Sequence, residues 1–164
     1  MKSDTELRKQ LVSLIRGNQS HMSLADAVKD FPIDHYNTKP THVAYSFWHL
    51  LEHIRITQQD IINYMTNPDY KELKWPEEYW PPTTAKADQK TWQKTIETLE
   101  VDFLVLEEMA ADTDIDLLSH IPHGAPGHTY YREFVVIGNH NSYHIGEFAI
   151  LRQVMGLWPK THAS

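Results

Sequence analysis

The segment Asn139-His140-Asn141-Ser142-Tyr143-His144-Ile145-Gly146-Glu147 lies inside a run that reads as helix, and it carries two histidines four residues apart. At about 100° per residue the two rings fall on one face. The same stripe holds Val136, Ile137, Leu151, Val154 and Met155, so the spacing predicts an amphipathic helix with both imidazoles turned toward the core. Ring nitrogens buried there need partners. A metal ion shared between them is the most economical one.

Working outward, this helix should span residues 129–155 and stop at Gly156 and Pro159. Three further helices are expected. The first covers residues 4–16, with Ser3 or Asp4 as N-cap, Leu7, Leu11 and Ile15 as its inner stripe, and Gly17-Asn18 closing it. A short amphipathic turn around Leu24 to Val28 follows. The second helix covers residues 41–64, a stretch without Pro or Gly in which Ala44, Phe47, Leu51, Ile54, Ile61 and Ile62 recur at helical spacing. The third covers residues 85–111, with Trp92, Ile96, Leu99, Phe103, Leu106 and Met109 facing inward. Between the second and third, residues 67–84 combine Pro68, Pro76, Pro81 and Pro82 with Trp75, Tyr79 and Trp80. That is too proline-rich for regular structure, and its aromatics should wrap it onto the bundle. Residues 112–128 form a second irregular connection. With no strong strand and no repeat, the expected fold class is all-α, a four-helix bundle occupying one domain over residues 1–164.

Composition excludes several functions. The chain has no cysteine, so thiolate metal sites, disulfides and cysteine nucleophiles are ruled out, and any metal must be held by nitrogen and oxygen. A net charge of −7 without a Lys/Arg cluster argues against a nucleic-acid partner. No apolar run approaches the roughly 20 residues of a membrane span. The polar opening Met1-Lys2-Ser3-Asp4-Thr5-Glu6 lacks the apolar centre of a signal peptide, so a cytoplasmic protein is expected. Serine-hydrolase elbows, P-loops and dinucleotide fingerprints are absent from the sequence.

The second helix repeats the oddity of the fourth. Ser46, His49, His53 and Asp60 fall within about 60° of one another on the helical wheel, with His42 in line if the helix begins that early. If the two helices face each other, His49 or His53 joins His140 and His144 to give three imidazoles. Three such nitrogens suit a divalent cation and leave a coordination position open, as in catalytic zinc sites. His49-Leu50-Leu51-Glu52-His53 also spells the inverted zinc-peptidase pattern H-x-x-E-H, but Glu52 turns about 100° away from His53 and the match reads as coincidence.

With that constellation assembled, the chain resembles the DinB/YfiT-like superfamily of small four-helix metalloproteins, damage-inducible proteins unrelated to the polymerase that shares the name. Two segments carry the resemblance. Ser46-Phe47-Trp48-His49-Leu50-Leu51-Glu52-His53-Ile54 looks like the pattern around the metal histidine of helix 2, which makes His53 the ligand with His49 beside it. The run from His140 through Glu147, followed by Leu151-Arg152 and Gly156, is similar to the H-x-x-x-H-x-G-Q pattern of helix 4, which makes His140 and His144 the other ligands. Glu147 departs from the glutamine common there; about 20° from His140 on the wheel, it can add charge or accept an imidazole N–H. The resemblance implies an up-down-down-up bundle, often dimeric, holding zinc, nickel or manganese. It also implies an activity among thiol S-transferases and isomerases that use low-molecular-weight thiols such as bacillithiol or mycothiol.

The expected function is therefore a metal-dependent transferase or hydrolase on a small-molecule substrate. Glu147 and His49 are candidate proton acceptors, and Asp60 is a candidate outer carboxylate. His120, His123 and His128 precede the last helix and could serve as a lid, although solvated loop histidines are the default. The exposed aromatics between Trp75 and Pro82 offer a homodimer surface. A non-catalytic metal or ligand sensor is the alternative, which a fourth ligand from Glu147 or His49 would favour. A metal-free bundle with hydrogen-bonded histidines is the third reading.

Overall fold

A computed structural model describes residues 2–17 and 19–159. Among them the only regular elements are helices: α1 Lys2–Arg16, α2 Leu24–Val28, α3 Phe47–Thr66, α4 Gln89–Ala111 and α5 Tyr130–Val154, with one 3-10 turn at Ile33–His35. The all-α expectation holds, and the turn around Leu24 is a short helix of its own. Helix α3 packs on α4 and α5, and α1 packs on the same two, so the four long helices enclose one core. Contacts advance in the same sense along α3 and α4, where Trp48 meets Thr95 and Gln58 meets Leu99. Along α3 and α5 they run in opposite senses, from Phe47 against Phe148 to His53 against His140.

Caps set the helix starts. Ser46 accepts the backbone N–H of His49, Asp88 that of Thr91 and Thr129 that of Arg132, each satisfying a donor that the first turn leaves free. Two boundaries differ from expectation for this reason. Helix α3 begins at Phe47, not at residue 41; Ala44 is exposed, and His42 is exposed with φ of 65°. Helix α4 begins at Gln89, not at residue 85. Ser3 and Asp4 lie inside α1 and do not cap it, and Asn18 falls outside the described residues.

The buried stripe of α5 also differs. It runs through Phe134, Ile137, Gly138, Asn141, Ile145, Phe148 and Arg152, while Val154 is 78% exposed and His140 and His144 sit half-buried at the stripe's edge. The two histidines thus border the core without occupying its centre. Register is fixed beside them. Phe31, Tyr36, Phe47, Trp92 and Phe148 form an aromatic layer, with Tyr36 stacked on Trp92 at 4.1 Å and Phe47 against Phe148 at 5.2 Å. Burying each such ring stabilises the fold by roughly 1.5–3 kcal/mol. Between His140 and His144 along α5, Asn141 donates to Gln58 of α3 at 2.7 Å, and Gln58 donates to the Leu99 carbonyl of α4, so an amide bridge ties the three helices near the histidines.

Candidate metal centre

From α3 and α5, His53, His140 and His144 meet, and their ligand-capable nitrogens lie within 4.8 Å of one another. Ring centroids are 5.0 Å apart for His53 and His140, 4.8 Å for His53 and His144, and 4.6 Å for His140 and His144. The i, i+4 spacing places the last pair on one face of α5. The antiparallel register set by Phe47 and Phe148 brings His53 opposite them.

Each ring's far nitrogen decides what its near one can do. His53 Nδ1 donates to the Tyr79 carbonyl at 2.7 Å, which leaves Nε2 as the lone pair facing the other two rings. His144 Nδ1 donates to Glu147 at 2.9 Å and likewise frees its Nε2. A carbonyl and a carboxylate are the usual partners that orient a ligating imidazole. His140 Nε2 sits 3.2 Å from His53 Nε2, while its Nδ1 is buried with no partner. A hydrogen bond between the two rings strands the His140 Nδ1 lone pair. The other tautomer leaves two lone pairs face to face, an arrangement that a cation resolves.

Protonation favours the same outcome. Burial pushes the His140 imidazole down to about 4, helped by His144 and His53 beside it and opposed by the neighbouring Asn141 side chain. Burial also lowers His53, against the opposing bond to the Tyr79 carbonyl. Both rings are therefore neutral at physiological pH, the form that binds a metal. Burial works against ionisation of Glu147, but the bonds from His144 and Tyr45 outweigh it and hold the carboxyl below its usual range. Three converging imidazoles, one with an orphaned nitrogen, fit a divalent cation.

Surrounding groups come from the loops. Tyr45, just ahead of α3, donates to the second oxygen of Glu147. Trp80 stacks on the His53 ring at 4.0 Å with parallel planes, and Tyr45 packs on Trp80 at 4.8 Å. Trp80 carried no sequence signal beyond the richness of residues 67–84 in aromatic side chains, and Tyr45, outside that stretch, carried none.

The family comparison matches the DinB superfamily over residues 17–148. The chain belongs to that superfamily. In this DinB protein the matched span contains all three histidines, Glu147 and both connections, whereas Arg152 lies beyond it. Comparison with curated proteins gave no significant match, and comparison with solved structures gave none either.

The other candidate residues lie apart from the triad. His49 is 4% exposed and has both ring nitrogens occupied, Nδ1 by Ser46 Oγ at 2.5 Å and Nε2 by the Pro82 carbonyl at 3.1 Å. Glu52 faces α4, pairing with Arg55 at 2.7 Å and accepting from Thr95, so the inverted peptidase pattern brings no carboxylate to the site. His123 and His128 are tied to Tyr64, through its carbonyl and its hydroxyl, near the far end of α3, and His120 is exposed. These anchors do not make a lid over the triad. No helix among the described residues is long and apolar enough to cross a membrane.

Proposed function

We propose that this DinB protein is a metal-dependent enzyme in which His53, His140 and His144 hold one divalent ion, zinc, nickel or manganese, with a position left for substrate. The observation that carries this reading is the division of labour within the imidazoles: two Nδ1 atoms are committed to outer acceptors while the opposite nitrogens converge. Such an ion supplies charge that lowers the pKa of a bound water or thiol toward neutrality.

A fourth protein ligand would favour the sensor alternative, and both candidates are engaged elsewhere. Glu147 spends one oxygen on His144 and the other on Tyr45. His49 is committed to Ser46 and Pro82. A free coordination position therefore supports turnover. Glu147, ionised and bonded to the far nitrogen of His144, holds that ring in place, and the Tyr45 hydroxyl steadies its charge. Trp80 covers one face of His53 and keeps water from it. By family likeness, transfer to or from a low-molecular-weight thiol is favoured over hydrolysis.

Elemental analysis of untagged protein purified without chelator tests the site. About one equivalent of a divalent metal is expected in the parent, and almost none in a His53→Ala, His140→Ala variant. A loaded parent that consumes neither thiol with an electrophile nor ester substrates would return the protein to the sensor reading. No uptake of zinc, nickel or manganese by the parent would end both.

A further inference from the structure

The connection over residues 67–84 has no helix or strand to stiffen it, yet its Tyr79 supplies the carbonyl that orients His53. Something must hold that carbonyl in place. The anchor is Asp60, seven residues beyond His53 on α3 and so about two turns along the same face. The Tyr79 hydroxyl donates to Asp60 Oδ2 at 2.7 Å, and the Tyr70 hydroxyl donates to Asp60 Oδ1 at 3.1 Å. Two points of the connection are thus tied to one carboxylate on the helix that carries the ligand.

We propose that Asp60 is a positioning residue of the metal centre: through the Tyr79 side chain it fixes the Tyr79 carbonyl, and through that carbonyl it sets the tautomer and orientation of His53. The proposal rests on the reading of the triad as a metal site. The clamp closes a loop of contacts that begins and ends on α3: His53 Nδ1–H, the Tyr79 carbonyl, the Tyr79 hydroxyl, Asp60, and back along two helical turns. Because α3 is rigid between residues 53 and 60, the carbonyl has a fixed reference. Trp80, the next residue in the chain, is placed by the same anchor and stacks on the His53 ring with parallel planes. One carboxylate outside the centre therefore determines which His53 nitrogen carries the proton and how the ring is tilted.

A role limited to fastening the connection would change stability without changing the imidazole. The experiment separates the two by measuring zinc affinity, in competition with a chromophoric chelator, and the His53 tautomer, by nitrogen-15 NMR of metal-free protein. The variants are Asp60→Ala, Asp60→Asn, Tyr79→Phe and the Asp60→Ala, Tyr79→Phe pair. Both Asp60→Ala and Tyr79→Phe should weaken zinc roughly 10-fold, the low end of what outer-shell changes cost. The pair should lose no more than Asp60→Ala alone, since the Tyr79 hydroxyl acts through that carboxylate. Asp60→Asn, whose amide oxygen still accepts a hydroxyl, should retain most of the affinity. In the metal-free weakened variants, His53 should shift from Nδ1–H alone toward a mixture of tautomers. Unchanged zinc affinity in folded Tyr79→Phe, or losses that add in the pair, overturns the proposal. Tyr79→Phe removes one hydroxyl only and decides alone if Asp60→Ala does not fold. If the parent itself takes up none of zinc, nickel and manganese, the metal reading fails, and the tautomer measurement still decides whether the clamp exists.

Discussion

Glu147 touches the site at two points, taking His144 Nδ1–H on one oxygen and the Tyr45 hydroxyl on the other. Replacing it by alanine should free the His144 ring to turn and to change tautomer, weakening metal binding by about 10–100-fold. Glu147→Gln keeps one acceptor oxygen but loses the charge, so its loss should be smaller. Competitive metal titration ranks the three proteins, and equal affinities would remove Glu147 from the site's support. The triad itself was legible because i, i+4 spacing on α5 and a second histidine stripe on α3 are properties of the sequence alone. The choice of His53 over His49 came from family likeness, and the hydrogen bonds that hold His49 agree with it. Tyr45 and the Tyr79 carbonyl were not legible. A backbone carbonyl on an irregular loop has no residue signature, and nothing marks one tyrosine before a helix as the partner of a glutamate 102 residues later.

Elements were read best where periodicity is long and caps are plain. Helix α5 starts one residue after its Thr129 cap, close to expectation, whereas α3 was begun six residues early because the absence of Pro and Gly outweighed Ser46, the residue that caps it. Two glycines of α5 show why position on the element matters more than residue type. A methyl group on Gly138 would lie 2.6 Å from Leu14 Cγ, where α1 crosses α5, while one on Gly146 would meet nothing within 4 Å. Gly138→Ala should therefore overpack that crossing and cost about 1–3 kcal/mol. Gly146→Ala should stabilise the protein by about 0.5–1 kcal/mol through helix propensity. Chemical denaturation of both variants checks the pair, and a destabilised Gly146→Ala would show that this face of α5 is occupied.

At the scale of the whole molecule, three buried charges are treated in different ways. Arg152 is 0% exposed and donates to the carbonyls of Ala27, Asp30 and Leu157, with its guanidinium 3.9 Å from the Trp158 ring, so it joins the end of α5 to α2 and the segment after it. Arg8 donates to the carbonyls of Ala110, Asp112 and Ile115 and so closes the end of α4 onto α1. Arg152→Ala would strand several carbonyls at once and should cost roughly 3–5 kcal/mol by denaturant unfolding. Asp102 has no such provision. It is buried on α4, its Oδ2 has no hydrogen-bond partner, and burial pushes its carboxyl up to about 6 although Arg55 pulls the other way. Its ordinary value is 3.8. Between those two values the folded chain holds a proton that the unfolded chain has released, so the contribution of Asp102 to stability is full below about pH 4 and is lost as pH rises through about 6. At about 1.36 kcal/mol per pKa unit the loss is at most about 3 kcal/mol. Asp102→Asn, which cannot ionise, should therefore be more stable than the parent by up to that amount above pH 6, with the advantage shrinking to nothing near pH 4. Urea unfolding of chelator-treated protein at several pH values tests this, since chelation keeps any metal contribution out of the comparison. A stability difference that stays constant from pH 4 to pH 7 would mean that the Asp102 carboxylate finds a partner in solution and that α3 and α4 close around it less tightly than their packing implies.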